Sequence, residues 1–430
     1  MDLTRRQALA ATATAASLPL LAPAAAARAA AARSGFMLGA GTSAFQVEGN
    51  NVNSDLWLVE GLAEAGFANQ SGDACDHYHS YAADIALVAG LGLDTYRFSI
   101  EWARVEPREG AFSRAELDHY RRVLQVCRAA GLRTVVTLFH FTAPLWVARQ
   151  GGFSNPAIVP LFARYAARVA EHCGDLIDCL STINEANMSF VDYVTPEGAR
   201  RVQHAAARAV GAERFGTFLL DDVAASKPIV REAHVAAREA VRRTRPGLPV
   251  GITLAMDDLQ DARGSEGHAA AMREARYGAW LALARDDDYL GVQNYTRQLV
   301  GPQGVVPPPP GSVFTQLHQE VHPASLGNVV RYAASVARVP VLVSEHGIGT
   351  ADDALRIRFI DESLAGLRAA VRDGVAVTGY IHWSLLDNYE WAFGYRAQFG
   401  LVAVDRATQR RSPKPSAQHL RRLARAAKLA

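Results

Sequence analysis

The feature that most restricts what this chain can fold into is an alternation. From about Phe36 onward, short apolar runs rich in β-branched residues recur between stretches of helical periodicity. The strand-like runs fall at 36–45, 94–100, 133–140, 179–185, 249–255, 289–295, 339–345 and 375–383. Helical patterns lie between most of them, at 81–89, 114–130, 158–173, about 198–243, 269–284 and 354–372, with a basic helix at 416–427. Apolar strands separated by amphipathic helices imply a parallel sheet covered on both faces, and eight of them predict a closed (β/α)8 barrel, an α/β fold. Residues 51–78 read as a polar loop, and 301–311, with Pro307 to Pro310 consecutive, as a stiff extended connection. No Pro/Ser-rich linker interrupts the pattern, so residues 33–430 are expected to form one domain.

Barrels present chemistry at the C-terminal ends of their strands. Those positions hold Gln46, Arg97, His140, Asn184 and Glu185, Tyr295, Glu345 and Trp383. Two of them are carboxylates that end apolar runs, Thr182-Ile183-Asn184-Glu185 and Val343-Ser344-Glu345. Burying such charges is costly without a purpose, and a facing pair is the equipment of glycosidic-bond chemistry. The accompanying cation, amides and indole suit a sugar, whose hydroxyls take polar partners while its C–H face stacks on an aromatic ring.

The first residues read differently. Thr4-Arg5-Arg6-Gln7-Ala8-Leu9 is a twin-arginine pattern, followed by a small-residue apolar run to about Pro23 and an alanine tract with A-x-A sites. Residues 1–32 are therefore expected to be a cleaved export signal, delivering a folded protein to the periplasm or the exterior. An Ala-rich tether or disordered leader is the alternative, but the run is too short for a good permanent span. The net charge is +2, and because Arg5, Arg6, Arg28 and Asp2 sit in this leader the remainder is formally neutral. Neither nucleic acid nor, after export, a membrane surface is expected as a partner. Cys75, Cys127, Cys173 and Cys179 show no C-x-x-C spacing. They read as buried thiols, with a Cys173–Cys179 bridge as the other option.

Five motifs then carry a resemblance. Thr42-Ser43-Ala44-Phe45-Gln46-Val47-Glu48-Gly49, Tyr96-Arg97-Phe98-Ser99-Ile100, Thr182-Ile183-Asn184-Glu185, Ser344-Glu345-His346-Gly347 and the decapeptide from His382 to Trp391 resemble glycoside hydrolase family 1, in that family's order. Asn53-Ser54-Asp55, Glu101-Trp102-Ala103-Arg104 and His382-Trp383-Ser384 are most similar to its archaeal β-glycosidase and β-mannosidase branch. The resemblance implies a cofactor-free, metal-free retaining exo-β-glycosidase, foremost a β-glucosidase, acting on a small β-glycoside or oligosaccharide. It implies Glu185 as acid/base, Glu345 as nucleophile, Arg97 keeping Glu345 ionised, Tyr295 donating to Glu345 and Asn184 binding the sugar 2-hydroxyl. Gln46, His140, Glu390 and Trp391 are implied as binding groups for the other hydroxyls and Trp383 as a stacking platform. The Glu390-Trp391 pair argues for a free 6-hydroxyl.

The chain departs from the family pattern at Ala186, where Pro is usual, at His346, where Asn is usual, at Gln293-Asn294, where Asn-Tyr is usual, and at Phe141, where Trp is common. Phe141, Gln293 and His346 are expected beside the pocket, bearing on substrate preference. Short loops at 51–78 and 296–325 are expected to leave the leaving-group side open. Three other readings compete. His318-Gln-Glu320-Val-His322 faintly resembles a zinc helix, but its Glu is misplaced and Pro323 follows. A non-catalytic sugar-binding barrel would not need both acids, and a transglycosidase would use the same acids with sugar as acceptor.

Overall fold

The computed structural model describes residues 35–188 and 194–425. Within it eight strands run parallel: β1 (Met37–Gly41), β2 (Thr95–Ser99), β3 (Arg133–Phe139), β4 (Cys179–Ile183), β5 (Val250–Ala255), β6 (Tyr289–Asn294), β7 (Val341–His346) and β8 (Val377–Trp383). Each pairs with its neighbour in chain order, and β8 returns to β1 with Met37 opposite Gly379 and Gly41 opposite Trp383. The chain is thus a (β/α)8 barrel, and Phe36–Ala430 forms one compact unit. The proposed leader at 1–32 lies outside the described residues.

The alternation was readable because these strands are buried on both faces; all seven residues of β3 are buried, which leaves no polar phase in the sequence. The covering helices show the complementary pattern. In Arg114–Ala129 the Ser113 hydroxyl accepts from the Glu116 amide, while Leu117, Tyr120, Leu124 and Cys127 face inward at helical spacing. At the seam Gly39 is required by space, since a Cβ there would lie 2.3 Å from the Thr95 carbonyl oxygen.

Several connections differ from expectation. Residues 51–78 are not all loop: Ser54 caps a helix, Asp55–Glu60, by accepting from the Trp57 amide, and Leu56 and Val59 bury its inner face. The helical region after β4 is two helices, Pro196–Ala209 and Val223–Thr244, the second capped by Asp222. The connection after β6 is not merely extended. Arg297–Gly301 pairs in antiparallel register with Gly304–Val306 and in parallel with Asp258–Asp261, making a three-stranded sheet above the barrel. All four cysteines are free, so Cys173 and Cys179 are not bridged, and Cys179 is only partly buried. Among the described residues no helix is long and apolar enough to cross a membrane.

Candidate active site

The turns following β1, β3, β4, β5, β6, β7 and β8 enclose a cavity of about 570 Å3. Gln46, His140, Asn184, Glu185, Tyr295, Glu345, Trp383, Glu390 and Trp391 all line it. Arg97 is the exception among the expected site residues: it is fully buried, beneath Glu345 and Asn184 rather than on the cavity wall. It acts through those two side chains.

Glu345 sits where β7 loses register with both neighbours, an irregularity between Val343 and the strand end that re-aims the side chain. Its carboxylate is held on both oxygens. Arg97 Nη1 donates to Oε1 at 2.5 Å, Gln293 Nε2 donates to the same oxygen at 2.8 Å, and the Tyr295 hydroxyl donates to Oε2 at 2.5 Å. Burial pushes the Glu345 pKa up, opposed by the Arg97 charge and by the Tyr295 hydrogen bond. The guanidinium thus limits the rise that burial imposes, acting in the direction the resemblance implied. Tyr295 is itself raised well above its usual value, by burial and by the Glu345 charge, and so stays a donor.

Glu185 follows β4 in a left-handed backbone conformation, φ 42°, a costly one for a residue with a side chain. Its amide donates to Thr253 Oγ1 at 3.1 Å and the Ala186 amide to the Thr253 carbonyl at 3.0 Å, so β5 pins the turn. Phe141 and Trp391 also have positive φ, at 71° and 48°, and strain of this kind is concentrated round the cavity. Among the described residues no protein group donates to the Glu185 carboxylate. Burial, and then the neighbouring Glu345 charge, push its pKa well up. Of two facing carboxyls, the one with three donors is the easier to ionise and the bare one the easier to protonate.

Asn184 is oriented by what its carbonyl accepts: Arg97 Nη2 at 2.6 Å, Gln293 Nε2 at 2.8 Å and Thr253 Oγ1 at 3.4 Å. Its Nδ2 must then be the donor to His140 Nε2 at 3.2 Å. His140 is pushed well below its ordinary pKa by burial and by Arg97, so it is neutral. With Nε2 accepting, its proton rests on Nδ1, a buried atom with no protein partner and a ready donor for a ligand. The imidazole stacks against Trp383 at 5.8 Å and Trp391 at 6.0 Å.

Trp391 in turn stacks on Phe45 at 5.8 Å, and Gln46 donates to Glu390 at 3.2 Å and to the Tyr389 carbonyl at 2.8 Å. Ser43 fixes the Gln46 carbonyl from behind at 2.7 Å. Burial and the Glu345 charge raise Glu390 to about 8, so it can donate as well as accept near neutral pH. This end of the cavity offers two indoles and a row of hydrogen-bonding groups, the environment of a pyranose ring.

One expectation at the site needs correction. His346 does not face the cavity: its Nδ1 donates to the Asn294 carbonyl at 2.5 Å and its ring stacks on Phe359 at 4.8 Å. It follows Glu345 on the same strand and so points outward. Leu299, Val305, Val306, Pro308 and Leu317 of the 296–325 connection line the cavity. Gln293, noticed in the sequence only as a departure, proves to bridge Asn184 and Glu345, and Thr253, which carried no signal, holds Glu185 in place. Glu320, of the His318–His322 segment, is occupied by Arg297 at 2.8 and 2.9 Å, and the segment is an irregular turn rather than a helix.

Known proteins resemble the chain over most of its length. The chain is 45% identical to the crystal structure of β-glycosidase BGL167, with a TM-score of 0.88 over 91% of this chain and 96% of that one. It is 42% identical to a structure of β-glucosidase 1317, also at a TM-score of 0.88, over 91% and 98%. Among curated sequences, thermostable β-glucosidase B of Thermobispora bispora is 30% identical over 89% of this chain and 88% of its own length. The Glycosyl hydrolase family 1 profile matches residues 29–273 and 312–429, and with the barrel and two strand-end glutamates in hand the chain belongs to that family of glycoside hydrolases.

Proposed function

We propose that the chain is a retaining exo-β-glycosidase that acts foremost on β-D-glucosides, with Glu345 as nucleophile and Glu185 as acid/base. The observation that carries this reading is the asymmetry of the pair: one cavity, one carboxylate gripped by three donors, the other bare and driven toward its protonated form. In the first step Glu345 bonds to the anomeric carbon while the bond to the leaving oxygen breaks and takes the Glu185 proton. Forming the ester removes the Glu345 charge, one of the causes that raise Glu185, so Glu185 becomes easier to ionise. It then takes a proton from water as that water displaces Glu345, and two inversions give net retention. Asn184 would hold the 2-hydroxyl, the His140 Nδ1–H, Gln46 and Glu390 the others, and Trp383 the sugar face. The names of the relatives, β-glucosidases and β-glycosidases, support the same substrate class.

The reading is tested with 4-nitrophenyl β-D-glucoside. Turnover should be lost in Glu345→Gln, and NMR should detect the β-anomer of glucose first. A 2-fluoro-glucoside should label a peptide containing Glu345; a labelled peptide without it, or an α-anomer product, would overturn the assignment. The twin-arginine pattern supports export through the folded-protein route. Fractionation should find the wild-type protein outside the cytoplasm and the Arg5→Lys, Arg6→Lys double variant inside; equal distribution of the two would refute it.

A further inference from the structure

We infer that the leaving-group side of this active site is built for an apolar aglycone rather than a second sugar, an inference that rests on the function proposed above. The leaving oxygen must lie against Glu185, so the aglycone departs past that residue. Met188 lies three residues beyond Glu185, and Asp257, near enough to contribute to its raised pKa, follows Met256; all three line the cavity. The far wall is supplied by the three-stranded sheet, where Leu299 stands opposite Val306. Leu299, Val305, Val306 and Pro308 of that wall lie within residues 274–311, the internal stretch the family profile does not match.

The polar side chains of the wall are engaged with one another. Arg297 is paired with Glu320 at 2.8 Å and donates to Gln260 at 3.0 Å, and Arg276 donates to Gln298 at 2.8 Å. What remains toward the cavity is the thioether and branched aliphatic surface of Met188, Met256, Leu299, Val305, Val306 and Leu317, with Asp257, His318 and Gln319 beside it. Among the described residues no tryptophan lines this side, in contrast to the sugar end with Trp383 and Trp391. The apolar character continues to the surface: Val305, Val313 and Phe314 are 49%, 54% and 48% exposed, three of the six large hydrophobics that stand out among the described residues. They lie on the connection whose Leu317 also lines the cavity. Exposed apolar groups beside a pocket mark a binding surface, and Val305, which both lines the cavity and stands exposed, joins the two.

The test compares methyl and hexyl β-D-glucoside, whose leaving groups are both primary or simple alcohols of similar acidity, so that differences report binding of the chain rather than bond strength. Wild-type kcat/KM for the hexyl glucoside should exceed that for the methyl glucoside by about tenfold or more, the gain from burying a few methylenes, and should exceed that for cellobiose. In Leu299→Asn the hexyl-to-methyl ratio should collapse toward unity. Val305→Asn, at a half-exposed position that a polar side chain does not disturb, should lower the same ratio and guards against a folding artefact. Turnover of methyl glucoside and cellobiose with no hexyl preference would overturn the apolar aglycone alone. Absence of turnover on every β-glycoside would overturn the proposed function and this inference with it.

Discussion

A single amide carries much of the geometry. Gln293 Nε2 reaches Glu345 Oε1 and Asn184 Oδ1, both at 2.8 Å, and so ties the proposed nucleophile to the residue that would hold the 2-hydroxyl. Gln293→Ala should lower kcat about ten- to a hundredfold, the worth of a lost hydrogen bond to a charged group. KM should change far less, because the sugar-stacking groups are untouched. Steady-state kinetics on an aryl glucoside decides this, and an unchanged kcat would mean that Arg97 and Tyr295 suffice. Titration offers a second prediction at this scale. Both carboxyls are raised by burial, Glu185 the further, and they titrate as a pair. Activity needs Glu345 ionised and Glu185 protonated, so kcat/KM should rise on the acid side as Glu345 ionises and fall on the alkaline side as Glu185 does. Glu185→Gln should flatten the alkaline limb and cost more on alkyl than on nitrophenyl glucosides, whose leaving group needs no proton. An alkaline limb that survives would assign that limb to another group.

At the level of elements, Asp55 shows how a buried acid joins separate connections. It opens the helix Asp55–Glu60, accepts from the Ala143 amide at 2.9 Å and receives the Thr217 hydroxyl at 2.7 Å, so the β1, β3 and β4 connections meet at one carboxyl. Burial raises its pKa from an ordinary 3.8 to about 7, with those hydrogen bonds opposing the rise. The folded state thus holds the proton more tightly than the unfolded one, and the associated stability is largest below 3.8 and drains away as pH climbs to about 7. The full loss is up to about 4 kcal/mol. Asp55→Asn keeps an acceptor for the Ala143 and Leu56 amides and carries no charge, so its melting temperature should gain on that of the wild type between pH 4 and 7. Melting curves of both proteins across that range test it; a gap that narrows with rising pH would show the charged form to be the favoured one. The same helix marks what could be read from the sequence. Barrel strands buried on two faces left unbroken apolar runs, whereas this element is a short helix announced only by its Ser54 cap. The sheet of Asp258–Asp261, Arg297–Gly301 and Gly304–Val306 was illegible for another reason: its first two strands are far apart in the chain and neither alternates cleanly, so pairing is settled by tertiary contacts. Within the site, strand-end position located the two cavity glutamates and most of the polar groups. It failed at His346, where the direction of the side chain, not its place along the strand, decides what it touches.

For the molecule as a whole, the site exists only if the barrel closes. Its groups come from strands all round the ring: Arg97 on β2, Asn184 after β4, Tyr295 after β6, Glu345 on β7 and Trp383 ending β8. The last junction is made by the five residues of β1, which hydrogen-bond to β8 on one side and β2 on the other. Although β1 contributes no expected site residue, without it β8 and β2 would expose unpaired edges, and Trp383 and Arg97 would lose their common support. Two truncations separate the frame from what precedes it. A chain beginning at residue 33 should keep the melting temperature and kcat/KM of the full chain, since the compact unit starts at Phe36. A chain beginning at residue 44 retains Gln46 and every other site residue, yet should lose cooperative melting and activity together. Calorimetry and aryl-glucoside turnover on the two chains give the answer. Activity in the shorter one would mean that seven strands hold the two glutamates in register, and the dependence of the site on closure would have to be abandoned.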